Sequence, residues 1–190
     1  MRSTLILVCL LNVLASTAQR QYWGVLPPND IPAAPAEFGG IYRFDSTAMS
    51  PELIVPFDTL GTLGSMRPGS KLLLASNGGL YGLSYFASHV IKLFWIDPVT
   101  DSLHIAVNFS PPQLTLQGAW TNLMETSTGL IVGSTGGWMS PSTLFKFDPT
   151  SGVITQIGTL PFTFFGGFWY ARTLQGTPFE ASDGYIYTIT

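Results

Sequence analysis

Leu144-Phe145-Lys146-Phe147-Asp148-Pro149 and Leu93-Phe94-Trp95-Ile96-Asp97-Pro98 are one phrase written twice. Ile41-Tyr42-Arg43-Phe44-Asp45 is a third copy, followed by Ser46 where the others have Pro. Aligned on Asp45, Asp97 and Asp148, the copies stand 52 and 51 residues apart. A second phrase keeps step with the first: Tyr22-Trp23-Gly24, Leu80-Tyr81-Gly82, Ile131-Val132-Gly133 and Ile186-Tyr187-Thr188. Two phrases holding one period establish an internal repeat of about fifty residues.

Each phrase reads as a strand. Leu144, Lys146 and Asp148 alternate with Phe145 and Phe147, the two-residue rhythm of an element with one buried face. Asp-Pro then sets a turn, because the Asp carboxylate accepts from backbone amides just ahead and Pro fixes its own φ. Strand character resumes over residues 103–107 and 153–157, the return arms of hairpins. Two further strands precede the aspartate. Residues 71–75 lead through Asn77-Gly78-Gly79 to residues 80–85, and residues 120–126 lead through Thr128-Gly129 to residues 130–134. Four short strands, a to d, in about fifty residues is the period and content of a propeller blade.

The expected fold is therefore all-β, built from β-propeller-type blades of four antiparallel strands. Units spanning 19–66, 67–116, 117–165 and, in part, 166–190 give about three and a quarter blades, an incomplete ring, since closed propellers use about four to eight. Such a count leaves an open blade edge, which invites pairing. Three accounts fit it: a piece of a longer product, head-to-tail self-association of copies, or a short open stack stable alone.

Those residues, together with Gly136-Gly137 and Ala181-Ser182-Asp183-Gly184-Tyr185-Ile186-Tyr187, resemble the GloVer tandem-repeat family of secreted bacterial proteins, which is similar in rhythm to kelch propellers. The resemblance covers nearly the whole chain after its first eighteen residues. It implies a repeat architecture, further repeats and often a C-terminal sorting domain, and it implies no particular chemistry. Three departures stand out: Gly39-Gly40 lies directly before the c strand, Asp45-Ser46 replaces Asp-Pro, and Thr188 replaces the b-strand Gly.

The start of the chain, MRSTLILVCLLNVLASTA, has a charge at Arg2, an apolar run over residues 5–14 and small residues at Ser16 and Ala18. That is the layout of a secretory signal peptide cleaved after residue 18. The run is too short for a membrane span, which needs about twenty residues, so no span is expected once the leader is removed. Export to a secreted, periplasmic or cell-surface location follows. The single cysteine, Cys9, leaves with the leader, so the mature chain is expected to have no disulfide and no thiol nucleophile.

Charged residues make up 10% of the chain while aromatics reach 13%, against about 25% charged in ordinary soluble domains. That profile suits an extracellular β-protein with a Ser, Thr, Asn and Gly surface. The 8 basic residues are scattered, and without a basic stripe nucleic acid is an improbable partner.

Candidate chemistry is sparse. Glu125 and Glu180 occupy the same register in successive units, where the earlier unit has Leu74. Stacked near a propeller axis, two carboxylates would bind a cation or serve as acid and base of a glycan hydrolase or lyase. The plainer reading is a strand-end residue facing a wet channel. Asp45, Asp97 and Asp148 read as turn formers rather than metal ligands. His89 and His104 have no metal-ligand spacing, so neither metal nor cofactor is expected. Tyr85, Trp95, Trp120, Trp138, Trp169 and Tyr170 form an aromatic surplus. Most would fill spaces between blades. Trp138, in a Gly137-to-Pro141 loop, and Trp169 with Tyr170, beyond Gly166-Gly167, are the candidates for stacking on sugar rings. The expectation is a secreted binding or scaffold module for carbohydrate or another extracellular ligand, without a catalytic centre of its own. A purely structural surface protein is the remaining class.

Overall fold

The computed structural model describes residues 21–26, 40–45, 51–56, 66–68, 71–86, 91–109, 122–137, 140–160, 162–165, 168–171 and 177–188. Residues 1–20, His89, Trp120 and Trp138 lie outside them. The described residues hold strands and turns and no helix, so none of them forms a helix long and apolar enough to cross a membrane.

The strands follow the repeat. In the first unit β1 (Gln21–Leu26), β2 (Gly40–Asp45) and β3 (Pro51–Pro56) pair in that order. The second unit has β4 (Met66–Pro68), β5 (Leu73–Leu74), β6 (Leu80–Phe86), β7 (Ile91–Asp97) and β8 (Ser102–Phe109), with β4 and β5 both pairing with β6. Its first strand is thus split in two. The third unit orders β12 (Ile154–Leu160), β11 (Ser140–Phe147), β10 (Ile131–Gly137) and β9 (Met124–Glu125). Two separate hairpins follow: β13 (Phe162–Phe165) with β14 (Phe168–Ala171), then β15 (Phe179–Glu180) with β16 (Ile186–Tyr187). Among the described residues every pairing is antiparallel and no sheet is closed into a barrel. Among the described residues the protein is all-β, with antiparallel sheets of the propeller-blade type stacked in sequence.

Register repeats with the sequence. Gly24 faces Tyr42, Gly82 faces Phe94 and Gly133 faces Phe145 across the b and c strands. In the second and third units the glycine makes room for the opposing ring. A Cβ on Gly133 would come within 2.8 Å of the Phe145 ring and 2.7 Å of Leu123, and one on Gly82 would strike Phe94. Between c and d the ladder slips by one residue at the same place in all three units, passing over Ile54, Ala106 and Ile157. Such bulges bend the strand and raise its local twist.

Alternation gives each sheet two apolar faces, and they are used in sequence. Ile41, Val55, Trp23 and Ile54 of the first unit pack with Leu80, Phe94, Ile96, Leu103 and Ile105 of the second. The opposite face of the second unit, with Tyr81, Leu83, Leu93 and Phe109, packs with Leu123, Ile131, Phe145 and Phe147 of the third. The core therefore lies between sheets, and Phe109 meets Phe145 across it at 5.3 Å between ring centroids. Face-to-face stacking of sheets with interdigitated side chains is the blade-packing arrangement that the repeat predicts.

Candidate functional site

The a-to-b turns are built alike. Ala75 accepts from the Gly78 amide at 2.9 Å, Thr126 from Gly129 at 2.9 Å and Ala181 from Gly184 at 2.9 Å. The three glycines have φ of 85°, 80° and 80°, the left-handed conformation that a type I turn closing a hairpin requires of its last residue. In each turn the residue after Ala or Thr is serine: Ser76, Ser127 and Ser182.

Glu125 and Glu180 reach these serines, each from the next unit. At the end of β9, Glu125 accepts from the Ser76 amide at 2.8 Å and from the Ser76 hydroxyl at 2.6 Å. At the end of β15, Glu180 accepts from the Ser127 amide and, at 3.2 Å, from the Ser127 hydroxyl. A carboxylate taking an N–H and an O–H from one turn makes two charge-assisted bonds, each roughly twice as strong as a neutral one. A parallel thread links the strand starts: the Lys71 amide donates to Asn122 at 3.3 Å, and Asn122 donates to Thr177 at 2.9 Å.

The first junction uses other groups. Leu74 stands at the Glu125 position and is exposed. Arg43 instead crosses from β2 to the Asp101 carboxylate, with contacts of 2.8 and 3.0 Å, and also donates to Glu52 at 2.7 Å. Its guanidinium lies 5.6 Å from the Trp23 ring centroid. The Glu52 hydrogen bond, then the charge of Asp101, raises its pKa further above the ordinary arginine value.

The aspartates of the c-to-d turns act on their own backbone. Asp97 accepts from the Val99 amide at 2.8 Å and the Thr100 hydroxyl at 3.0 Å. Asp148 accepts from the Thr150 amide at 2.8 Å and the Ser151 hydroxyl at 2.7 Å. The Val99 amide chiefly holds Asp97 below the usual carboxylate range, and the Ser151 hydroxyl chiefly does so for Asp148. Asp183 repeats the device in the last a-to-b turn, accepting from the Tyr185 amide, the main cause of its lowered pKa, and from the Tyr187 hydroxyl at 2.9 Å. Asn77 holds the matching place, with Gly79 and Tyr81 as its partners.

Of the aromatic candidates, Trp169 and Tyr170 lie on β14, opposite Phe164 and Thr163, rather than in a loop. Two aromatic runs flanking Gly166-Gly167 are the hairpin signal that reveals this pairing. Trp138 falls between Gly137 and Ser140, which pair with each other. Trp95 is half-buried, stacked on His104 at 4.3 Å and near Tyr81 at 6.3 Å. Among the described residues no group of three or more His, Cys, Asp or Glu side chains is placed to hold a metal ion. The serines that receive the carboxylates and the Arg43 to Asp101 pair have no counterpart in the sequence expectations. A serine two residues after Glu180, repeated one unit earlier after Glu125, was the signal for the first.

No model of a known protein family matches the chain, and no curated protein matches it. Among solved structures it is similar to a puromycin-hydrolysing peptidase of Mycobacterium tuberculosis, with a TM-score of 0.45 and 19% identity over 64% of this chain and 18% of that one. It is similar also to TolB from Acinetobacter baumannii, with a TM-score of 0.46 and 13% identity over 77% of this chain and 34% of that one.

Proposed function

We propose that the protein is an exported repeat scaffold of the GloVer kind that binds its ligand without transforming it. Extracellular carbohydrate is the ligand class, and Trp138, Trp169 and Tyr170 are its contacts. One observation supports the non-catalytic part: Glu125 and Glu180, the carboxylates whose shared register suggests an acid and base pair, are each occupied by the amide and hydroxyl of a neighbouring serine turn. A carboxylate used in that way joins sheets. The flat apolar faces of tryptophan and tyrosine suit sugar rings, which supports the ligand class.

The test is a glycan array probed with the full chain and with its Trp138→Ala and Trp169→Ala variants. Retention on at least one polysaccharide, weakened tenfold or more by either variant, is the expected result. Silence across the array discards the carbohydrate reading. Release of reducing ends from a retained polysaccharide, abolished by Glu125→Gln, would replace binding with hydrolysis.

A further inference from the structure

The serine clamp is filled twice and offered a third time. Ser182 is exposed in a turn that repeats the backbone bonds of the Ser76 and Ser127 turns, and among the described residues nothing accepts from its amide or hydroxyl. The side chains beside it repeat the pattern. Tyr81, on the face of the second sheet that meets the third, is 3% exposed and lies 6.4 Å from Phe147 of that sheet. Tyr187 holds the same place in the last hairpin, stacked on Phe179 at 5.6 Å, and the two are 46% and 59% exposed.

We propose that this face of the β15–β16 hairpin is a docking surface for one kind of occupant: a further β-unit of the same repeat. That unit ends its first strand in a carboxylate, which reaches the Ser182 amide and hydroxyl while its inner apolar face covers Phe179 and Tyr187. The surface continues an interface already made twice in the molecule, and two unfilled donors call for an acceptor with two oxygens. A second copy of this chain fits poorly. Tyr42 of β2, on the face of its first unit turned away from the second, is already buried, and among the described residues that unit has no a strand to carry the acid. Sequence agrees with the clamp: acid stands at positions 125 and 180, each following a unit with a serine turn.

The experiment appends residues 136–190 of the chain after Thr190. Thr190 corresponds to Thr135, so the second copy of Glu180 falls 53 residues after Ser182, the interval that separates Ser127 from Glu180. Amide hydrogen exchange is read at Ser182 in the parent, in the extended chain, and in an extended chain carrying Glu180→Leu in the appended copy, the residue found at position 74. Exchange at Ser182 should slow at least tenfold on extension and recover with the leucine. Unchanged exchange in a folded extended chain overturns the proposal.

The parent alone supplies a second measurement, which does not depend on the extension folding. Ser127→Ala should lower its unfolding midpoint, whereas Ser182→Ala should leave it within error. Equal losses would mean that the Ser182 turn is already occupied. A parent that sediments as an oligomer with a protected Ser182 amide would identify a second copy as the occupant and overturn the proposal equally.

Discussion

The hairpin turns at Ser76 and Ser182 share a backbone, a left-handed glycine and a polar residue that bonds both the amide two positions on and a tyrosine hydroxyl. Their surroundings differ. Around the first, Tyr81 and Ala75 belong to the core between the second and third sheets. Around the second, Phe179, Tyr185 and Tyr187 face outward. The bonds that shape each turn are thus local to its hairpin, while burial and an acceptor for the serine depend on a neighbouring sheet.

The largest expected effect follows from that contrast. Phe145 is fully buried against Phe109 and fills the space that Gly133 leaves open. Phe145→Ala should cost about 3–5 kcal/mol, the usual range for emptying a core aromatic site. Phe179→Ala should stay within about 0.5 kcal/mol, as for an exposed position. Equilibrium denaturation of both variants checks the comparison, and comparable losses would show that the last hairpin is covered in solution.

A smaller effect is tied to pH. Asp97, Asp148 and Asp183 all have carboxyls held below the ordinary value by hydrogen bonds of their own turns. Between the lowered folded value and the unfolded value of about 3.9, the unfolded chain binds more protons, so stability there rises with pH. The stabilisation is complete above that range and is lost as pH falls through the folded pKa. Asn keeps the acceptor oxygen and loses the titration. Asp97→Asn and Asp148→Asn should therefore flatten the slope of stability against pH below about 4 and lower neutral stability slightly, because a neutral acceptor replaces a charged one. A slope unaltered in the double variant would remove these turns from the acid response.

Much of this was legible in the chain because it is local. The period, the four-strand unit and the Asp-turn all follow from residues within a few positions of one another, as Asp148 with Thr150 and Ser151 shows. The Glu125 register was also legible. Its purpose was not, because the Ser76 turn it holds lies 49 residues away, and one sequence does not say which repeated groups touch. The slip past Ile54, Ala106 and Ile157 escaped for a different reason: at these places a bulge leaves an ordinary apolar residue unpaired and has no residue signature of its own.

The smallest effect concerns the first junction, where Asp101 stands in the place of Gly152. Gly152 has φ of 71° and Asp101 has φ of 57°, a conformation that costs a residue with a Cβ about 1–2 kcal/mol, less for Asp. Asp101 also receives Arg43 from the neighbouring sheet, and a partly exposed ion pair contributes about 0.2–1 kcal/mol. The two terms oppose each other, so Asp101→Gly alone should change stability by less than about 0.5 kcal/mol. In an Arg43→Met background only the backbone term remains, and the same substitution should then stabilise the protein by up to about 1 kcal/mol. The difference between the two measurements is the coupling across the junction. If it vanishes, the contact between Arg43 and Asp101 does nothing to hold the first sheet to the second, and apolar packing through Ile41 and Ile96 is left to join them.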